Sequence, residues 1–129
     1  PSAAGVAAPG PLPAPWRQID IGKAVIPGNT VRGDADNALA FTGAMAGVGF
    51  SDRDDAYHFV YQILEGDGSM IVRISDIYQQ PDNTNCGLIM RESLDPESRG
   101  VGSSVSRRRG LVWQVRAKQG APWVFTEHR

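Results

Sequence analysis

Residues 52–78 read DRDDAYHFVYQILEGDGSMIVRISDIY, and this stretch decides the predicted fold. It holds two runs of alternating apolar residues, 57–64 and 70–77, on either side of the glycine-rich polar segment 65–69. Alternation with a period of two indicates β-strands, and a short connection containing glycine between two such runs indicates a hairpin. The sequence therefore predicts a central β-hairpin.

Further strands are predicted on both sides of this hairpin, and no stretch has a helical period long enough to predict a helix. The predicted strands are residues 16–21, 39–41, 86–90, 101–105 and 111–115. Turn-forming glycine, proline, aspartate and asparagine residues separate them. The predicted fold class is therefore all-β with antiparallel sheets.

Composition limits the classes of partner. The chain has 129 residues, 41% of them hydrophobic, which suits one globular domain. Its net charge of -1 gives no electrostatic reason to expect nucleic acid or an anionic membrane as a partner. Cys86 is the only cysteine, so no disulfide can form within the chain.

The first fifteen residues differ in composition from the rest. Residues 1–15 are almost entirely proline, alanine and glycine, which predicts an extended linker, and the domain is predicted to span residues 16–129. Because the chain begins with Pro1 rather than methionine, we expect it to be part of a longer protein.

The parity of the predicted strands separates two faces of a sheet, because successive side chains of a strand point to opposite sides. One face is apolar and is predicted to be the core: Tyr57, Phe59, Tyr61, Ile63, Met70, Val72, Ile74, Cys86, Leu88, Met90, Leu111, Trp113 and Val115. The opposite face carries long polar side chains, which form either an ordinary solvated surface or a groove for a polyhydroxylated ligand. These candidate binding residues are His58, Gln62, Arg73, Arg91, Gln114 and Arg116.

Several short segments resemble a family of the concanavalin A-like lectin and glucanase superfamily, often labelled as similar to a regulator of enolase. The matching segments are Trp16 and residues 20–22, 55–62, 66–68 and 86–93. The resemblance implies a jelly-roll β-sandwich, found as a module of larger and often exported or cell-envelope proteins. Cys86 stands where the family usually has alanine.

The resemblance also predicts that the domain is incomplete at its C-terminus. Members of the family continue through further strands, whereas this chain stops after residues 121–129. An unpaired sheet edge and uncovered apolar surface would follow, so we expect either marginal stability or self-association through the free edge.

Three groups of acidic or amide residues are candidates for chemistry. Glu65 and Asp67 are the nearest match to the paired carboxylates of a glycosidase, but a glycine-flanked turn exposed to water would not raise the pKa of an acid catalyst. Calcium is the cofactor that the remaining acids could hold, although aspartate and asparagine are also ordinary turn residues. Those residues are Asp34, Asp36 and Asn37, and Asp52, Asp54 and Asp55.

The other reactive residue types indicate structure rather than catalysis. His58 has no cysteine, serine or second histidine placed near it in sequence to suggest a triad or a zinc site. Cys86 has the parity of the core and is predicted to be buried and unreactive. Residues 107–109 are three arginines before Gly110, which predicts a solvated hairpin loop or, alternatively, an anion site.

The sequence as a whole favours a non-catalytic binding module with no catalytic or metal-binding residues. Its predicted ligand is a carbohydrate or a similar polar molecule on the face bearing His58 and Arg91. The alternative is a structural or protein-interaction module without a small ligand, and a degenerate glycosidase is the third hypothesis.

Overall fold

The computed structural model describes residues 10–23, 26–34, 37–42, 54–77 and 85–127, and this part of the chain is all-β. Its strands are β1 (Gly10–Pro11), β2 (Arg17–Ile21), β3 (Asn29–Arg32), β4 (Leu39–Thr42), β5 (Tyr57–Tyr61), β6 (Cys86–Arg91), β7 (Gly100–Ser106), β8 (Gly110–Arg116) and β9 (Val124–Glu127). Every pairing between them is antiparallel, so the predicted all-β antiparallel class is confirmed. No helix in the described residues is long and apolar enough to cross a membrane.

The strands fall into two compact units. The N-terminal unit comprises Pro1–Gly49 and Asp55–Gly66, and it contains a three-stranded sheet, β1-β3-β4, and a two-stranded sheet, β2-β5. The C-terminal unit comprises Phe50–Asp54 and Asp67–Arg129, and it contains the four-stranded sheet β6-β7-β8-β9. In the segment predicted to be a linker, β1 pairs with β3.

The predicted central hairpin is only half present. Its first strand exists as β5, but residues 62–77 contain no strand, and Ile63 and Ile71 are 69% and 96% exposed. The partner of β5 is instead β2, with Ile19 opposite Phe59. This prediction was wrong because alternation shows that a segment can form a strand without showing which other strand it pairs with.

The aromatic residues of β5 do share one side of their strand, as the parity predicted. The rings of Phe59 and Tyr61 stack with their centroids 5.4 Å apart, and Tyr57 meets Phe59 edge to face at 6.1 Å. All three residues are half-buried rather than part of a closed core.

In the four-stranded sheet the predicted apolar residues do share one face, but this face is not the buried face of the sheet. The register aligns β6 with β8 across β7, so Leu88, Met90, Leu111, Trp113 and Val115 lie on one face. Leu111, Trp113 and Met90 are nevertheless 48%, 43% and 49% exposed. The buried side chains of β8 are those of the opposite parity, Val112, Gln114 and Arg116.

Glycines on β7 explain why the polar parity faces inward. A Cβ atom at Gly102 would lie 2.3 Å from the carbonyl oxygen of Leu88, and one at Gly100 would lie 3.0 Å from the indole of Trp123. Without side chains at these positions, the strand leaves a trough on that face. Trp123, which is only 6% exposed, packs over Gly100 in this trough.

The arginine segment forms the hairpin loop that the sequence predicted. Ser106 pairs with Gly110, and residues 107–109 form an exposed connection between β7 and β8. Gly110 has φ of 68°, a left-handed conformation that glycine adopts without steric cost in such loops. The Ser106 hydroxyl accepts a hydrogen bond from the Arg109 N–H at 3.1 Å and helps to close the turn.

Candidate functional site

A buried polar network lies in the N-terminal unit around His58. Its Nδ1 lies 2.9 Å from Oδ1 of Asp20, and its Nε2 lies 3.0 Å from Oγ1 of Thr30. The His58 side chain is only 2% exposed, and Thr30 is 1% exposed. Both ring nitrogens therefore have partners, as a buried imidazole requires.

The network joins the two sheets of this unit. Asp20 lies on β2 and His58 on β5, whereas Thr30 belongs to β3 of the other sheet. Gln18 adds a second link, because its Oε1 accepts from the Thr30 N–H at 2.8 Å and its Nε2 donates to the Thr30 carbonyl at 3.2 Å. These polar contacts fix β3 against the edge of the β2-β5 pair.

Close packing around the imidazole sets its position. A Cβ atom at Gly28 would lie 2.3 Å from Cγ of His58, so only glycine leaves room for the ring. The Gly28 N–H also donates to Oδ1 of Asp20 at 3.0 Å, and Phe41 meets the imidazole edge-on at 6.2 Å. The ring is therefore held by sterics as well as by hydrogen bonds.

The order carboxylate, imidazole, hydroxyl is the one found in nucleophilic triads, and it was not predicted from the sequence. Asp20 and His58 are 38 residues apart in sequence, and no sequence pattern singles out Thr30 as a functional residue. A nucleophile must be open to its substrate, whereas Thr30 is 1% exposed. The geometry therefore indicates a structural role for this network, which joins the two sheets through hydrogen bonds.

The network carries a pH dependence that can be tested. The hydrogen bond from the Gly28 N–H has the largest effect on Asp20 and lowers the pKa of its carboxyl, and the hydrogen bond with His58 lowers it further. Desolvation of the carboxyl by burial partly opposes both effects. A carboxyl whose folded-state pKa is lowered contributes stability above the ordinary aspartate pKa, and this contribution is lost as pH falls through the lower folded-state value. We expect Asp20→Asn to be less stable than wild type at pH 7 and to lose less stability on acidification.

The measurement is urea unfolding of the full chain at a series of pH values from 7 down to 2. Asp34→Asn is the matched control, because it removes an exposed carboxylate from the same unit outside these hydrogen bonds. An Asp20→Asn curve parallel to that of wild type over the acidic range would contradict the role given to Asp20.

A second polar centre lies in the C-terminal unit around Arg116, which is 1% exposed. Its Nε donates to the Ala121 carbonyl at 2.8 Å, and its Nη1 donates to the carbonyls of Pro96 and Ser98 at 3.1 and 3.2 Å. Its guanidinium carbon lies 4.6 Å from the ring centroid of Trp123, a cation–π distance. Arg116 thus ties two loops to the sheet.

Arg91 has the same relation to the loop that connects β6 and β7. Its Nε donates to the Ser93 carbonyl at 3.1 Å, and its Nη2 donates to the carbonyl of Asp95. The loop also closes on itself, since the Glu92 N–H donates to the Arg99 carbonyl at 3.1 Å and Arg99 pairs with the Glu92 carboxylate. The position of this loop is therefore set largely by arginines of the sheet.

Register places Arg91, Gly100 and Arg116 in one row across three strands. Beside this row is a shallow, open depression of about 320 Å³. We call it the arginine depression; it is lined by Met90, Arg91, Glu92, Arg99, Gly100, Arg116 and Ala117. Three arginines and one glutamate are among these residues, so their net charge is positive.

Comparison of the chain with protein-family models, curated proteins and solved structures found no match. The resemblance to the concanavalin A-like superfamily stays a prediction that rests on the short segments quoted above.

The six binding residues predicted from the sequence do not form one surface, because they belong to two different units. His58 and Gln62 belong to the N-terminal unit, and the other four belong to the C-terminal unit. Of those four, the structure brings together Arg91 and Arg116 at the arginine depression, and Arg73 lies exposed in a segment without a strand.

Three of these residues are buried rather than solvated, which corrects the predicted polar face. The His58 side chain is 2% exposed, and Gln114 and Arg116 are 4% and 1% exposed. Their polar atoms bind other parts of the chain, as when Gln114 Oε1 accepts from the Ser104 hydroxyl at 3.3 Å. Long polar side chains were assigned to solvent because the sequence does not show which hydrogen-bond partners a fold provides.

The remaining chemical candidates are placed as follows. Glu65 and Asp67 are exposed in the segment without a strand, and Gly66 between them has φ of 74°. Of the two acidic clusters, Asp36 and Asp52 lie outside the described residues, and within the described ranges no group of three potential metal ligands assembles. Cys86 is half-buried, and burial raises the pKa of its thiol.

The arginines of the hairpin loop have partners within the chain. Arg109 Nε lies 3.3 Å from Oε1 of Glu127, and its guanidinium carbon lies 5.3 Å from the centroid of the Phe125 ring. Arg107 donates to the Ile77 carbonyl at 3.4 Å. These contacts favour the structural interpretation of the loop over an anion site.

Proposed function

We propose that this chain is a non-catalytic binding module whose ligand is an acidic saccharide that docks in the arginine depression. The observation that carries the proposal is that Arg91, Arg99 and Arg116 line one depression together with a single acidic residue, Glu92. Guanidinium groups donate paired hydrogen bonds with the geometry that a carboxylate accepts.

The residues of the depression would contribute differently. Arg116 is buried and bound to loop carbonyls, so its role is to fix the floor and to add positive charge. The Arg99 side chain is 57% exposed and that of Glu92 is 58% exposed, so both can reach a ligand from solvent. A uronate carboxylate would replace Glu92 as the partner of Arg99, and Glu92 would accept bonds from sugar hydroxyls.

The test is titration calorimetry of the full chain with oligogalacturonate and with its methyl ester at low ionic strength. We expect binding of the acid form only, and a loss of about tenfold in affinity for Arg99→Gln, which corresponds to one charge-assisted contact. Arg108→Gln is the matched control, because it removes the same charge from an exposed loop residue that does not line the depression. No binding of either saccharide, or an equal loss in both variants, would reject the proposal.

A second candidate function, a protein-interaction module, is favoured by a different observation. The face of the four-stranded sheet opposite to Arg91 and Arg116 exposes Met90, Leu111, Trp113 and Val124, the last at 66%. Contiguous exposed apolar surface of this kind marks sites of association.

A further inference from the structure

Glu92 and Arg99 form a pair at the neck of the loop between β6 and β7. The strand register ends with Arg91 opposite Gly100, and the next two residues continue it, because the Glu92 N–H donates to the Arg99 carbonyl at 3.1 Å. The side chains also pair, since Arg99 Nε donates to the Glu92 carboxylate. One of the arginines that line the arginine depression therefore already has an anion as its partner.

The loop keeps its shape through contacts other than this ion pair. The Ser98 N–H donates to the Asp95 carbonyl at 2.9 Å, and the Ser98 hydroxyl accepts from the Ser93 N–H at 3.0 Å. Buried Arg116 holds the Ser98 carbonyl from the sheet at 3.2 Å. Both side chains of the ion pair are more than half exposed, and exposed ion pairs contribute little to stability. The pair can therefore open for a ligand while the loop stays in place.

A simple anion that binds Arg99 must displace Glu92. Sulfate can replace the carboxylate as the acceptor, but it carries no hydrogen-bond donor. The displaced Glu92 carboxylate, which is also an acceptor only, would then lie beside a like charge without a partner. Repulsion between these charges opposes binding, and it is screened least at low ionic strength. Glu92 therefore penalises any anion that only accepts hydrogen bonds.

An anion that carries hydroxyl groups avoids this penalty. A uronate offers its carboxylate to Arg99 and its hydroxyls to Glu92, so each member of the ion pair exchanges one charge-assisted bond for another. We propose that Glu92 is a specificity-determining residue that excludes simple anions from the arginine depression and admits hydroxylated ones. Such specificity comes from an element that repels the wrong ligand. The inference rests on the saccharide proposal for the class of ligand that is admitted.

The experiment is a titration of the full chain, followed by NMR amide shifts, with sodium sulfate and with oligogalacturonate at constant low ionic strength. We expect Glu92→Gln to bind sulfate about tenfold more tightly than wild type, since one charged competitor is removed. Its affinity for oligogalacturonate should change by less than about threefold, because the lost competitor is offset by the lost charged acceptor for sugar hydroxyls.

Two further variants assign the effect to this ion pair. The double variant Glu92→Gln with Arg99→Gln has the net charge of wild type, and it should lose the gain in sulfate affinity. Glu127→Gln is the matched control, because Glu127 forms the other exposed ion pair, with Arg109 at 3.3 Å, and neither residue lines the depression. Its sulfate affinity should equal that of wild type. The same amide spectra show that each variant is folded.

The outcomes separate this inference from the saccharide proposal. Sulfate affinity that Glu92→Gln leaves unchanged would overturn the inference, as would a gain that Glu127→Gln reproduces. An equal gain for both probes would also overturn it, because Glu92 would then compete without discriminating. If wild type binds no oligogalacturonate while Glu92→Gln gains sulfate affinity and the double variant loses it, the saccharide proposal fails and the exclusion of simple anions by Glu92 is supported.

Discussion

Replacing His58 by alanine is expected to lower the free energy of unfolding of the chain by about 2 to 4 kcal/mol, because it removes the centre of a buried network. The substitution deletes both the bond to Asp20 at 2.9 Å and the bond to Thr30 at 3.0 Å. It also leaves the buried Thr30 hydroxyl without its imidazole partner, and it removes the ring against which Gly28 packs. Chemical denaturation of the full chain measures the effect.

Two further variants test whether the hydrogen bonds, rather than the ring volume, cause this loss. Thr30→Val keeps the shape of the side chain and removes the hydroxyl, so its effect combined with His58→Ala should be smaller than the sum of the two single effects. Gln62→Ala is the control, since Gln62 is exposed just beyond the end of β5 and should cost little. Additive effects of the first pair would show that the two residues are not coupled.

Replacing Arg116 by alanine is expected to lower the free energy of unfolding by about 3 to 4 kcal/mol, because the carbonyls that it binds lose a charged donor and Trp123 loses a cation–π contact. Those carbonyls belong to Pro96, Ser98 and Ala121, and the guanidinium lies 4.6 Å from the indole centroid. Both loops beside the sheet should therefore loosen together, and hydrogen exchange of the Ser98 and Gly120 amides should become faster.

Conservative variants divide this effect into its parts. Arg116→Met keeps most of the side-chain volume. Any stability that this variant lacks relative to wild type is therefore due to the hydrogen bonds and the cation–π contact. Arg116→Lys keeps the charge but cannot hold separate carbonyls with a rigid planar fork, so we expect a partial loss. Arg108→Ala in the exposed hairpin loop should leave stability almost unchanged. If Arg116→Met were as stable as wild type, packing alone would explain the role of this residue.

The sequence predicted the fold class and the location of several strands. Alternation placed strands at β2, β5, β6 and β8, and the arginines before Gly110 placed the loop between β7 and β8. It also grouped Leu88, Met90 and Trp113 on one face, which the register confirms. These successes depend on local properties: the period of a strand and the backbone conformation that a turn requires.

Pairing and burial were decided by tertiary structure. β5 pairs with β2 rather than with residues 70–77, and the inward face of β8 carries Gln114 and Arg116 rather than Trp113. Parity assigns residues to the same side of a sheet but cannot show which side another layer covers. Here the polar side is inward because glycines of β7 leave a trough that Trp123 and two loops occupy.

The candidate sites show the same division most clearly. The sequence selected His58, Arg91 and Arg116 as chemically significant by type and parity, and all three are central to polar networks. Only the fold supplied their partners, such as Asp20, which is 38 residues from His58, or the carbonyls of Pro96 and Ala121. Local sequence patterns located β2, β5, β6 and β8 and the residue types that they carry. The tertiary structure decided the contacts, because hydrogen bonds between distant segments depend on which strands pair and which face is covered.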